Sequence, residues 1–394
     1  MNTTTTENTV HYTIDAPTEN QVVTALNFHL QGWITFDLAY ETEYYFSDGH
    51  TDIPLQAFER EDVALAFPDK HVFGFSQTIS TIDLLTNRHY FIKFKGPHKE
   101  HRLLVPVKIE TNKQDYLEKK QRKREKIKGI LQCPISGDTD YTLEDNTITF
   151  APSKQSYAYN THYLDFFTTP LKSIANIENE KKQISANNYD PLVKDMIGKY
   201  EEGLVLDIGA GFRNNYYENV VFLDVIDYPT TDVLSIAERL PFQDNCFDAI
   251  VCVSVLQHIK TPSKAASEMM RVLKEGGELL VTASFLNPYF EDPNHYFNFT
   301  SQGLKALFPD TFTIDSGVLP SMHPIVAVSN ILNEYAHHIE DPRVKQDFLQ
   351  MKVEDLVGNP LAHLGTEYHA SFVQQAQTKL SAGSYLIAEK KISV

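Results

Sequence analysis

The stretch Gly203-Leu204-Val205-Leu206-Asp207-Ile208-Gly209-Ala210-Gly211 constrains this chain more than any other. Leu204, Val205, Leu206 and Ile208 form a short apolar run bounded by glycines. That is the pattern of a strand buried on both faces of a parallel sheet. The run ends in an acid followed by Gly-x-Gly. Glycines there let the backbone turn tightly and bring a ligand against bare main chain. An acid at the carboxyl end of such a strand can accept hydrogen bonds from a bound cation or hydroxyl, and open α/β sheets bind ligands at that end. Alone, Gly-x-Gly is unspecific, and the third glycine of a dinucleotide fingerprint is missing, since Phe212-Arg213 follows.

Four further stretches follow in order. Val220-Val221-Phe222-Leu223-Asp224 is a second apolar strand ending in an acid. Leu240-Pro241-Phe242 precedes Asp244 and Phe247-Asp248. Leu256-Gln257-His258 comes next, then Arg271-Val272-Leu273-Lys274-Glu275-Gly276-Gly277. This series resembles the class I S-adenosylmethionine-dependent methyltransferases, and within them the small-molecule type 11 branch, over roughly residues 187–320. The resemblance implies an α/β fold with a Rossmann-like core on a seven-stranded mixed sheet, and S-adenosyl-L-methionine as cofactor. Only about eight residues link Gly211 to Val220, too few for an ordinary crossover. The first crossover helix is therefore expected to shrink to a turn or two around 212–218.

At 394 residues, two or three domains are expected. The formal charge of −17 argues against a general nucleic-acid binder, because backbone binding rests on Lys and Arg. Three cysteines, Cys133, Cys246 and Cys252, give no disulfide framework and suit a reducing compartment. No secretory signal is read at the start, and no apolar run has the length of a membrane span. A soluble, cytoplasmic protein is expected.

Residues 1–112 alternate apolar and polar in short runs, the pattern of an all-β sandwich, with Ser47-Asp48-Gly49-His50 and Leu85-Thr86-Asn87-Arg88 as hairpin turns. Gln31-Gly32-Trp33, Phe58-Glu59-Arg60-Glu61-Asp62-Val63, Ala66-Phe67-Pro68 and Phe73-Gly74-Phe75 resemble the immunoglobulin-like module attached to some bacterial glycosyltransferases and methyltransferases. The module is then either a glycan- or protein-partner-binding surface, or a spacer with Trp33 filling its core. Residues 113–172 open with a strongly basic, helix-forming run read as a solvated linker helix, the other reading being a patch for anionic ligands. Ile130-Leu131-Gln132-Cys133-Pro134-Ile135-Ser136-Gly137 is similar to the opening of a small zinc-ribbon-like domain. Ser136 stands where a second thiolate would be, so no metal is expected and the segment reads as a remnant hairpin turning at Asp145-Asn146. Residues 173–394 form the methyltransferase domain, with a helical cap at 320–382.

The resemblance also implies roles. Asp207, with the backbone of Gly209 and Gly211, would hold the amino-acid end of the cofactor. Asp224 would accept its ribose hydroxyls, with Asp227 a weaker rival. The family usually has Asp where Ile236 stands, so adenine would rely on Ala237 and its neighbour Glu238, on backbone and on apolar packing. Asn188 or Tyr189 would contact the pocket. His258 ends the fourth strand, where relatives face the reactive methyl, and is read as a general base or as a histidine in a supporting hydrogen-bond network. The loop 285–300 is dense in aromatics and polar donors. There Tyr289, His295 and Tyr296 are read as contacts to a small-molecule or glycan acceptor, His295 being a second candidate base or part of an aromatic lid. The activity implied is O-methylation of a sugar, glycan precursor or other polar metabolite. The alternative is a methyltransferase fold reused as a non-catalytic binding or assembly protein.

Overall fold

The computed structural model describes residues 5–7, 10–36, 43–64, 66–95, 100–160, 162–177, 185–186, 188–290, 294–309, 315–357, 363–364 and 366–372. They fall into two compact units: 1–189 with 193–251 and 268–280, and 190–192 with 252–267 and 281–394. Among the described residues no helix is long and apolar enough to cross a membrane.

The first unit begins with two antiparallel sheets. One is centred on Asn27–Phe36, paired with Val10–Ala16 on one side and His71–Ser80 on the other. The other runs Glu100–Val105, Tyr90–Lys95, Tyr44–Ser47, Asp52–Leu55. Alternation along each strand puts Leu30, Ile34 and Ile79 from the first sheet into one core with Phe46, Ile92 and Phe94 from the second. Two expectations change here. The 47–50 turn does close a hairpin, but 85–88 joins a strand of one sheet to a strand of the other. Trp33 does not fill the core. It is half-buried on the outer face, where its ring lies 5.5 Å from that of Phe67. Gly74 lets that cover approach, since a Cβ there would meet the Arg60 side chain at 2.4 Å and Phe58 at 2.9 Å.

Next comes α1, Lys113–Lys128, capped by the Asn112 side chain accepting from the Asp115 N–H. It is not a solvated linker. Tyr116, Lys120, Lys123 and Ile127 recur at helical spacing and are buried. The Lys123 ammonium is 0% exposed and lies 2.8 Å from Asp232, with the Tyr216 ring centroid 3.5 Å away and that of Phe222 4.4 Å away. Asp232 also accepts from the Tyr216 hydroxyl and the Phe222 N–H. Burial pulls the Lys123 ammonium down to about 7, and its Asp232 partner resists that pull. Lys120 donates to the carbonyl oxygens of Pro229 and Thr231, and Tyr116 to that of Pro229.

A nine-stranded sheet follows. Its strands are β1 (Asp140–Glu144), β2 (Thr147–Ala151), β3 (Ser156–Tyr159), β4 (Leu164–Asp165), β5 (Val205–Ile208), β6 (Val220–Asp224), β7 (Val233–Leu234), β8 (Phe247–Val253) and β9 (Leu273–Thr282). The order is β1-β2-β3-β4-β7-β6-β5-β8-β9. The strands from β7 to β9 have the order of a doubly wound core whose winding reverses at β5. The segment read as a detached remnant instead extends this sheet: β1 to β4 form an antiparallel meander, and β4 pairs parallel with β7. Asp145 and Asn146, at φ +44° and +59°, make its first turn. The sheet so differs from the seven strands expected. Residues 311–314 and 384–389 lie outside the described residues, and 315–318 is not strand. Strand β9 starts at Leu273, directly after helix α2 (Pro262–Val272), and contains the Gly276-Gly277 pair. No helix forms between β5 and β6. In the second unit, Pro324–His337 and Pro342–Gln350 pack around Ala336, Ile339, Val344 and Phe348.

Removing one member of a buried ion pair leaves the other uncompensated. Lys123→Met is expected to destabilise the protein by roughly 3–5 kcal/mol. Arg122→Ala, which opens the exposed pair with Glu218, should leave the midpoint nearly unchanged. Urea unfolding of both variants checks this, and equal midpoints would contradict it.

Candidate functional site

The functional residues fall into one constellation in each unit. In the first, β5 delivers Asp207 at its carboxyl end and β6 delivers Asp224 at its own. The turn after β5 has Gly209 at φ +66° and Gly211 at φ +64°, a region that favours glycine. A Cβ on Gly211 would also meet the Ser185 carbonyl oxygen at 2.5 Å. The N–H groups of this turn are not presented outward. Gly209 and Ala210 both donate to the Leu223 carbonyl, and Gly211 donates to Asp224 Oδ2 at 2.8 Å. The glycines therefore contribute by their conformation and lack of side chain, not as donors to the amino-acid end of a cofactor.

Asp224 accepts two more N–H bonds on Oδ1, from Val225 at 2.8 Å and Ile226 at 3.0 Å. It is buried, and burial pushes its carboxyl up to about 6 against the pull of those three bonds. Asp207 is 0% exposed. Its Oδ2 takes the Tyr189 hydroxyl and Arg213, with Nε at 3.1 Å and Nη2 at 3.0 Å. Its Oδ1 is buried with no hydrogen-bond partner. Burial holds the Asp207 carboxyl above its ordinary range, with Arg213 opposing.

Two motifs of the sequence series instead hold the opposite, amino ends of β5 and β8. The Arg271 guanidinium donates to the carbonyl oxygens of Leu240 and Phe242 and to Asp244, which clamps the Leu-Pro-Phe-x-Asp stretch. Asp248 accepts the Leu204 N–H at 2.8 Å and pairs with Lys274. Ile236 packs with Phe167, Leu171 and Leu234, and Ala237 and Glu238 beside it are buried. Cys133 is buried too, with its sulfur 3.3 Å from the Tyr157 hydroxyl. Ser136 turns its hydroxyl to Asp138 and Ser153.

The second unit brings the two histidines together, with ring centroids 6.1 Å apart. The turn Leu256–His258 is stitched to the 294–297 loop: Tyr296 and Phe297 donate their N–H groups to the Gln257 carbonyl, and His258 Nδ1 bonds the Asn294 carbonyl. A carbonyl can only accept, so Nδ1 carries the proton and the lone pair of neutral His258 is on Nε2. His295 is tied differently. Its Nδ1 accepts the Phe290 N–H at 3.3 Å, and Nε2 bonds the Phe297 carbonyl and Asn298 Oδ1. Its ring stacks on Tyr289 at 5.6 Å. Phe290 lies 4.9 Å from His258 and 4.7 Å from His295. Gln257, which stands for the family's Glu, is 1% exposed with its Oε1 unpartnered.

Residues 204–281 match the family model described as a methyltransferase domain. Over this segment the chain is similar to methyltransferase domains. The ubiquinone/menaquinone biosynthesis C-methyltransferase of Haemophilus ducreyi is 33% identical over 149 residues, 37% of this chain and 46% of the relative. The demethylmenaquinone methyltransferase of Renibacterium salmoninarum is 36% identical over 119 residues, 25% of this chain and 48% of the relative. The chain thus spans about half the length of these curated relatives. The solved structure of the YcgJ protein of Bacillus subtilis has 22% identity and a TM-score of 0.22, over 29% of this chain and 66% of that one.

The cofactor of this core is S-adenosyl-L-methionine. The first-unit residues fit it: Asp207 keeps an unpartnered carboxylate oxygen, and Asp224 is a carboxylate with two oxygens at the tip of β6. Asp224 would take the ribose diol and Asp207 the amino-acid end. Arg213 and the Tyr189 hydroxyl join Asp207 in the structure, and only Tyr189 had a signal in the sequence.

A diol donates to the ionised carboxylate, so the binding form of Asp224 is lost as pH falls through about 6. The affinity for S-adenosylhomocysteine should therefore be roughly ten-fold weaker at pH 5 than at pH 7. Equilibrium titrations at the two pH values check this, and equal dissociation constants would contradict it.

Proposed function

We propose that the chain is an S-adenosylmethionine-dependent methyltransferase that transfers a methyl group to a hydroxyl of a small polar acceptor, a sugar or glycan precursor being the class the loop chemistry fits best. The observation that carries the reading is Asp224, buried at the tip of β6 and locked by three backbone N–H bonds beside the glycine turn. S-adenosylmethionine supplies an electrophilic methyl group on a sulfonium. His258 supplies the base. Its Nδ1–H bond to Asn294 fixes the ring and puts the lone pair of the neutral ring on Nε2, the atom that would take the acceptor proton. Tyr289, His295 and Tyr296 orient the acceptor, and ordering of the reactants contributes most of the acceleration.

The Haemophilus ducreyi relative carries the name of a ubiquinone/menaquinone biosynthesis C-methyltransferase, and a base at His258 serves proton loss from carbon as well as from oxygen. A screen of hydroxylated acceptors with methyl-labelled cofactor distinguishes the two, and label found only on carbon would sink the hydroxyl assignment. A second reading, a cofactor-binding protein without turnover, draws support from Ile236. It stands at the family's adenine acid and belongs to an apolar cluster. The N-terminal sheets are read as an immunoglobulin-like sandwich, with a protein partner as its possible ligand class, and the cytoplasm as the setting of the whole chain.

His258→Ala should lower turnover by roughly 10²–10⁴ with cofactor affinity kept. His295 has both nitrogens engaged, so His295→Ala should act mainly on the acceptor's KM. Steady-state kinetics of both variants against one acceptor checks this, and full turnover in His258→Ala would remove it as the base.

A further inference from the structure

We propose that α1 and the end of strand β3 hold a binding site for a phosphate-type dianion, gripped by Arg124. Lys120, Lys123 and Arg124 stand at i, i+3 and i+4 and therefore share one face of α1. Lys120 and Lys123 are buried. The carboxylate bonded to this group is Asp232, through Lys123. Glu218 also acts on Lys123, but it is held by Arg122. Three cations against one bonded carboxylate leave an excess of two positive charges. A phosphate group carries about −1.5 to −2 near neutral pH and matches that excess. Lys120 donates to the carbonyl oxygens of Pro229 and Thr231, which leaves one of its three N–H donors over.

Arg124 supplies the grip. Its guanidinium carbon lies 3.8 Å over the Tyr159 ring, so stacking uses the face of the group and leaves its edge. On that edge Nε and Nη2 are both buried with no hydrogen-bond partner. These two N–H groups lie side by side and form the fork that takes two oxygens of a phosphate. Leaving both buried and unbonded costs free energy that an oxyanion at the edge would recover. Burial pulls the Lys120 ammonium down to about 8, and the Arg124 charge pushes the same way, so the two cations stand near each other. An anion held by Arg124 offsets that repulsion as well. Arg124 as a whole is half-buried, which leaves a small anion a short path to the edge.

The test is titration calorimetry of the full-length protein with sodium phosphate, at an ionic strength held constant with sodium chloride. The wild type should bind phosphate saturably, in the millimolar range or below, with and without saturating S-adenosylhomocysteine. Arg124→Gln should weaken that binding by roughly ten-fold or more, because the forked contact is lost. Arg124→Lys keeps the charge without the fork and should also weaken it by roughly several-fold, and it decides the matter if Arg124→Gln does not fold. Arg122→Ala, which opens the exposed pair on the same helix, should leave it unchanged. A parallel titration with glycerol 3-phosphate separates the sources. Tighter binding than inorganic phosphate assigns the site to a phosphorylated molecule, and weaker binding assigns it to the free ion. No saturable binding of either would overturn the proposal. So would phosphate affinity undiminished in the Arg124 variants, or abolished by S-adenosylhomocysteine.

Discussion

The buried pair of Lys123 and Asp232 is the contact on which the cofactor end of the sheet depends. Asp232 accepts from Lys123, from the Tyr216 hydroxyl and from the Phe222 N–H. Phe222 lies two residues before Asp224 on β6. The pair therefore fixes α1, the link after the glycine turn and the strand that carries the proposed ribose ligand. A cation with no exposure is tolerable only because the carboxylate and two aromatic faces stand around it.

A second constraint is the missing crossover helix. In an ordinary doubly wound core, a helix after the first strand satisfies the polar backbone of the link and covers the sheet. Here other parts of the first unit serve. The Leu26 N–H donates to the Asn214 carbonyl at 2.8 Å, and the Asn27 amide to that of Phe212 at 3.3 Å. The Phe212 N–H goes to the Ser185 carbonyl, and Arg122 holds Glu218. The N-terminal sheets and α1 thus contribute to the glycine turn directly. That gives residues 1–128 a structural part in the proposed cofactor site, beyond the choice between spacer and separate binding module.

Much of the core was legible in the sequence because it rests on short buried strands ending in acids, and β5 and β6 both have that form. The hairpin at Asp145-Asn146 was legible because its turn chemistry is local. The role of α1 was not. Tyr116, Lys120, Lys123 and Ile127 make a buried stripe, but two of the four are lysines, so hydropathy reads the stripe as polar and the helix as solvated. Arg213 was hidden for a similar reason: its meaning comes from Asp207, six residues back, and from Tyr189, and no spacing rule joins the three. Trp33 misled because alternation gives the period but not which face is the inner one. The histidine pair was legible as two separate motifs, while its tautomers follow only from the Asn294 carbonyl and the Phe290 N–H.

The central claim is that the segment from β5 to the turn after β6 holds S-adenosylmethionine. Amide hydrogen exchange of the full-length chain, with and without saturating S-adenosylhomocysteine, tests it most directly. The account expects slowed exchange concentrated in 207–213 and 222–228, where the Gly211, Val225 and Ile226 N–H groups already bond Asp224. Unchanged exchange throughout those segments at saturating ligand would contradict it.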